Sequence, residues 1–152
     1  MELVLMRHGE AEAVATTDSE RRLTPVGSQA NRRVAKALQA RICVFDLALM
    51  SPYARARQTA DDVEMELGSL NFRQSHLVLP DTSPSEVIES LPSDTALRVL
   101  LIGHNPLLSR LAALLIEGNA DTGLHLETSE LLCLRADILA PGCGSIVFSL
   151  HA

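Results

Sequence analysis

The chain has 152 residues, 47% apolar and 21% charged, the make-up of a soluble globular protein and enough for one domain with a proper hydrophobic core. A formal net charge of −6 argues against nucleic acid or an anionic membrane as partner. No apolar stretch approaches the roughly 20 residues of a membrane span. The opening run Glu2-Leu3-Val4-Leu5-Met6 is too short for a signal peptide and lacks a basic leader, so a cytoplasmic protein is expected.

The run from Leu3 to Met6 predicts a strand buried on both faces. Thr24-Pro25 is an N-cap followed by proline at the first helical position. Beyond it Val26, Ala30, Val34, Ala37, Leu38 and Ile42 recur mostly at spacings of three and four, giving one apolar helical face. Phe45 to Met50 is a second strand, and Ser51-Pro52 repeats the cap-then-proline signal for a helix that Gly68 closes. Gly68 to Asp94 is rich in Ser, Pro and Asp. Leu97 to Ile102 is a third apolar strand, followed by a helix that Asn105-Pro106 caps and Gly118 stops. Leu131 to Leu134 and Ile146 to Leu150 are two more strands, expected towards the sheet edges. Cys43, Cys133 and Cys143 show no CxxC spacing and are read as reduced, buried small hydrophobes.

Apolar strands alternating with amphipathic helices predict an α/β fold: a mostly parallel sheet with helices on both faces. Ligands of such sheets bind outside the carboxyl ends of the strands. There the chain places Arg7-His8-Gly9-Glu10, then Ser51-Pro52-Tyr53-Ala54-Arg55-Ala56-Arg57-Gln58-Thr59, then Gly103-His104-Asn105-Pro106. If the three strands are neighbours, two histidines and at least two arginines converge, two of these groups near helix N-termini that favour an anion. Transferring phosphoryl groups spread negative charge over their equatorial oxygens, and arginine forks match that array. Neutral imidazole attacks phosphorus as a nucleophile, and surrounding cations disfavour its charged form.

Taken together, Arg7-His8-Gly9-Glu10 after an N-terminal strand, Ser51-Pro52 with Arg55-Ala56 and Gln58-Thr59, and Gly103-His104 after a later strand resemble the ordered motifs of the histidine phosphatase, or phosphoglycerate mutase-like, superfamily. Within it the chain looks most like the small SixA type, the phosphohistidine phosphatases. Asp18-Ser19-Glu20-Arg21-Arg22-Leu23-Thr24 with Gly27 is similar to that group's Arg-Pro-Leu-Thr…Gly segment. Arg21 matches the group's arginine, and Arg22 stands where proline is usual. The resemblance implies a single domain over residues 1–152 with a three-layer α/β/α sandwich.

By this resemblance His8 is the nucleophile that becomes phosphorylated, Arg7, Arg55 and His104 bind the phosphoryl oxygens, and Arg21 adds a positive contact. It implies no metal and no organic cofactor. Asp81 stands roughly where the family's acidic residue falls, as a possible general acid or as a turn residue beside Pro80. Glu10 and Glu12 are read as solvent-facing, Arg57 as solvated, and His76, His125 and His151 as surface or structural.

Between Arg55 and His104 the chain is too short for the lid of the mutases, which implies an open, shallow site suited to a phosphorylated side chain on a protein surface. The expected activity is metal-independent hydrolysis of phosphohistidine on a signalling protein, a histidine phosphotransfer domain. One alternative is a small-molecule phosphomonoesterase on the same scaffold. Another is a non-catalytic phosphoprotein-binding module, against which His8 and His104 weigh.

Overall fold

The computed structural model describes residues 1–152. Six strands form one sheet: β1 (Glu2–Arg7), β2 (Leu47–Met50), β3 (Arg73–Gln74), β4 (Arg98–Gly103), β5 (Leu131–Ala136) and β6 (Gly144–Leu150). Their order across the sheet is β3-β2-β4-β1-β5-β6. The first four run parallel, while β5 pairs antiparallel with both β1 and β6. Four helices cover the faces: α1 (Pro25–Gln39), α2 (Ala54–Leu67), α3 (Pro84–Ser90) and α4 (Leu107–Glu117).

Because successive side chains of a strand point to opposite faces, each central strand feeds two cores. Leu3 and Leu5 of β1 with Val99 and Leu101 of β4 pack on one face with Leu107, Leu108, Leu111 and Leu115 of α4 and Val87 of α3. Val4, Met6, Leu100 and Ile102 face the other way, into Val34, Ala35 and Leu38 of α1 and Ala56, Ala60 and Val63 of α2. The fold is the three-layer α/β/α sandwich expected, with a mostly parallel sheet.

Thr24 caps α1 as predicted, its hydroxyl accepting from the Gly27 N–H at 3.0 Å. Gly68 and Gly118 end α2 and α4 at φ of +84° and +75°, the region glycine enters without steric cost. In the stretch between Gly68 and Asp94, Ser83 accepts from the Glu86 N–H and Pro84 opens α3.

Four expectations need correction. Ser51-Pro52 does not start α2, which opens at Ala54; the Ser51 hydroxyl turns inward instead, accepting from the Tyr53 N–H at 3.2 Å. Asn105 does not cap α4; its amide donates to the Leu126 carbonyl and its oxygen accepts from Ser109. The buried face of α1 is Gly27, Asn31, Val34, Ala35 and Leu38, leaving Val26 and Ala37 exposed, whereas β5 and β6 lie together at one end of the sheet as expected. Of the cysteines, only Cys133 is buried; Cys43 and Cys143 are exposed, and all three are unpaired. No helix is long and apolar enough to cross a membrane.

Candidate active site

The carboxyl ends of β1, β2 and β4 lie side by side and deliver Arg7-His8, Ser51 and Gly103-His104 to one place. Arg55 arrives on the first turn of α2. The His8 and His104 rings stand 4.9 Å apart between centroids, and Tyr53 lies 4.9 Å from His104 on another side. All three motif side chains are nearly covered: His8 is 7% exposed, Arg55 4% and His104 1%.

Two hydrogen bonds fix the His8 tautomer. Nδ1–H donates to the Gly9 carbonyl at 2.7 Å, and Nε2 accepts from Arg55 Nε–H at 3.1 Å. The Nε2 lone pair therefore faces the arginine. Burial, then the charges of Arg55, Arg7 and Arg21, push the His8 pKa down to about 4, against the opposing Gly9 bond. His104 falls to about 2, again chiefly through burial. Both imidazoles are neutral at pH 7. The cations assist, but desolvation is the larger cause.

Two buried side-chain nitrogens have no protein partner, Arg7 Nε and His104 Nδ1. Buried polar groups are seldom left so, and both belong to the cluster around His8. Arg7 is held from its far end, where Nη1 donates to the Leu126 carbonyl at 2.8 Å. That same carbonyl accepts from Asn105, so the loop before β5 ties the first and third motifs together.

The loop carrying His8 rests on a buried polar network. The Gly9 N–H donates to Thr59 Oγ1, which donates to the Arg55 carbonyl. Asn31 donates to Thr59 and to Asp62 and accepts from Ser129, while Ser28 donates to Asp62. Loop and helix α1 approach so closely that a Cβ on Gly9 would stand 2.7 Å from the Asn31 amide, and one on Gly27 would stand 2.2 Å from the Glu10 carbonyl.

A residue to which the sequence reading gave no role of its own completes the site. Asp18, on a single 3-10 turn, places Oδ2 3.0 Å from Arg55 Nη2 and Oδ1 3.0 Å from Arg21 Nη1. Its backbone carbonyl accepts from Arg55 Nη1. Desolvation opposes its ionisation, yet the hydrogen bonds from Arg55 and Arg21 hold its pKa below the usual carboxylate value. The Asp18 carboxylate thus lies against the two guanidinium groups. This segment closes over Arg55, and with His8, Arg55 and His104 nearly covered the site is not the open, shallow surface expected from a short lid.

Arg21 is turned towards the site and Arg22 is exposed beside Gln58 and Asp61. Asp81 is exposed on the turn after Pro80 and forms no hydrogen bond or ion pair with the cluster. His125, exposed, lies with Nε2 3.5 Å from Arg7 Nη1, whereas His76 and His151 are exposed away from the cluster.

The histidine phosphatase superfamily (branch 1) model matches residues 3–76. The phosphohistidine phosphatase SixA of Escherichia coli is 34% identical over 144 residues, covering 90% of this chain and 86% of that protein. The chain belongs to the histidine phosphatase superfamily. A SixA homolog from Haemophilus influenzae is 30% identical, with 74% of this chain and 76% of that protein covered. A solved structure of the protein histidine phosphatase SixA complexed with tungstate superimposes with a TM-score of 0.88 at 28% identity, covering 99% of this chain and 97% of that one. This family member is a hydrolase of the SixA type.

The sequence reading gave no functional role to Asp18, Ser51 or Asn31. Asp18 lies in the segment that carries the SixA likeness, and a carboxylate three residues before an arginine is the one signal that pointed to it. Asn31 offered a sharper one, a wholly buried amide on an otherwise apolar helix face.

Proposed function

We propose that this chain removes phosphoryl groups from phosphohistidine on a protein, a histidine phosphotransfer domain, through a covalent phosphohistidine at His8. The observation that carries the chemistry is the placing of a fixed, unprotonated His8 Nε2 beside two buried, unpartnered nitrogens, the donor Arg7 Nε and the ring nitrogen His104 Nδ1. An incoming phosphoryl group displaces the Asp18 carboxylate and takes the Nε–H of Arg55 from His8. The freed lone pair of His8 Nε2 attacks phosphorus as the bond to the leaving nitrogen breaks; that nitrogen keeps the electron pair, and with the other ring nitrogen already protonated from solvent the leaving group departs as neutral imidazole. Arg7, Arg55 and His104 hold the equatorial oxygens while charge develops on them. Water then attacks the phosphohistidine, releasing phosphate and restoring His8.

The choice of substrate is supported by the likeness to SixA proteins and by the acid groups at hand. An alkoxide leaving group needs a proton donor, but Asp18 is held ionised and Asp81 stands apart. An imidazole, once protonated, leaves without one. The test compares kcat/KM for a phosphohistidine-bearing phosphotransfer protein and a simple phosphomonoester, with EDTA present. A strong preference for phosphohistidine is expected. Preference for the ester would assign the same clamp to small phosphoesters and make Asp81 the next residue to substitute.

A further inference from the structure

His104 has two ring nitrogens and one proton, and a hydrogen-bond account of its surroundings decides where that proton lies. Nε2 stands 2.7 Å from Ser51 Oγ, and Nδ1 has no protein partner. Ser51 is wholly buried, and its oxygen already accepts from the Tyr53 N–H. Its own O–H has one acceptor within reach, His104 Nε2. If Nε2 carried the proton, the serine hydrogen would be stranded in the interior and Nδ1 would be left as a bare lone pair beside the arginines. Leaving a buried polar group without a partner is unfavourable, so one stranded group is preferred to two.

We infer that Ser51 is a positioning residue: by donating to His104 Nε2 it holds the proton on Nδ1, the nitrogen that faces the phosphoryl site. The two histidines are therefore set in opposite senses. The Gly9 carbonyl takes the Nδ1 proton of His8 and leaves a lone pair at Nε2 for attack. The Ser51 hydroxyl fills the lone pair of His104 Nε2 and leaves a donor at Nδ1. Swapping the His104 tautomer would turn a lone pair towards an anionic oxygen, converting an attraction into a repulsion. The role rests on the proposed phosphoryl-binding function of His104, but the tautomer itself does not depend on any substrate.

Two-bond proton–nitrogen NMR spectra of the full chain labelled with ¹⁵N-histidine, at neutral pH, test the inference. The wild type is expected to show His104 protonated at Nδ1, and Ser51→Ala is expected to move some or all of that proton to Nε2. In Ser51→Ala both kcat with phosphohistidine protein and affinity for tungstate should fall on the order of 10- to 100-fold, the usual cost of losing an outer hydrogen-bond partner. Ser51→Thr, which keeps the hydroxyl, should retain the wild-type tautomer. A wild-type spectrum with the proton on Nε2 would overturn the inference whether or not the variants fold. So would a Ser51→Ala protein whose activity falls while its His104 spectrum stays unchanged, since that would make Ser51 merely structural. A chain with the stated tautomer but no activity would refute the phosphatase reading and leave the Ser51–His104 bond standing.

Discussion

Strands β1 and β6 lie two places apart in one sheet, and each runs into a histidine. Leu3, Val4, Leu5 and Met6 of β1 are all buried, and the strand ends at His8, 7% exposed and held by Gly9 and Arg55. Strand β6 leaves Ile146 and Val147 exposed and ends at an exposed His151, 3.7 Å from Glu130. The local sequences are alike, apolar residues followed by a histidine, but the surroundings differ. The end of β1 has parallel neighbours on one side and the N-terminal turn of α2 over it, so polar groups meet there out of water. The edge strand has no such roof. A histidine at a strand end gains chemistry from the topology around it, not from the strand.

The largest effect should come from His8→Ala. Turnover should disappear while the unfolding transition stays cooperative, whereas His151→Ala should change neither; retained activity in His8→Ala would remove His8 as nucleophile. Arg55→Ala follows, with a loss of about 2–4 kcal/mol of transition-state stabilisation by analogy with an oxyanion donor. A fall in kcat/KM below about tenfold, or roughly 1.4 kcal/mol, would place Arg55 outside direct contact with the phosphoryl group.

Acid should act on the same buried end of the sheet. A histidine at about 4 when folded and about 6.5 when unfolded binds more protons in the unfolded chain between those values. Its stabilising effect is complete above pH 6.5 and is lost as pH falls towards 4, a loss of about 3 kcal/mol at roughly 1.4 kcal/mol per pH unit. Urea unfolding between pH 7 and 4 should show this slope with a similar contribution from His104, and His8→Ala should reduce it by about half. An equal slope in both proteins would contradict the burial of a neutral His8.

Asn31→Ala should cost about 1–3 kcal/mol by leaving Asp62 and Ser129 with unpaired buried atoms, measured by the same unfolding curves. Val147→Thr, on the exposed face of β6, should shift stability by no more than about 0.5 kcal/mol and leave kcat/KM unchanged. A large effect there would mean that the edge strand supports the site after all.

The polar ends of the three parallel strands were legible because each follows an uninterrupted apolar run, and a parallel sheet fixes which end of a strand holds ligands. Pairings that join distant parts of the chain were not. The pairing of β5 with β1 joins residues more than a hundred positions apart, and the apolar pattern of β5 does not say which strand it lies beside. Asp18 lies in an exposed, irregular segment with no periodicity, so nothing local says that its carboxylate reaches Arg55. Ser51 followed by proline carries a helix-cap signal that tertiary structure overrides: with His104 within 2.7 Å, the hydroxyl has a buried acceptor to satisfy. The exposed Cys43 and Cys143 sit in irregular connecting segments, where an average preference for burial has no force.

The claim at the centre of this account is that His8 Nε2 takes the phosphoryl group. Rapid quenching of the enzyme during turnover of phosphohistidine protein, followed by ³¹P NMR and mass spectrometry of the alkaline-quenched chain, tests it directly. The account predicts one phosphoryl group on His8, bonded to Nε2 and absent from His8→Ala. Turnover without any phosphoenzyme, or with the group on another residue, would contradict it.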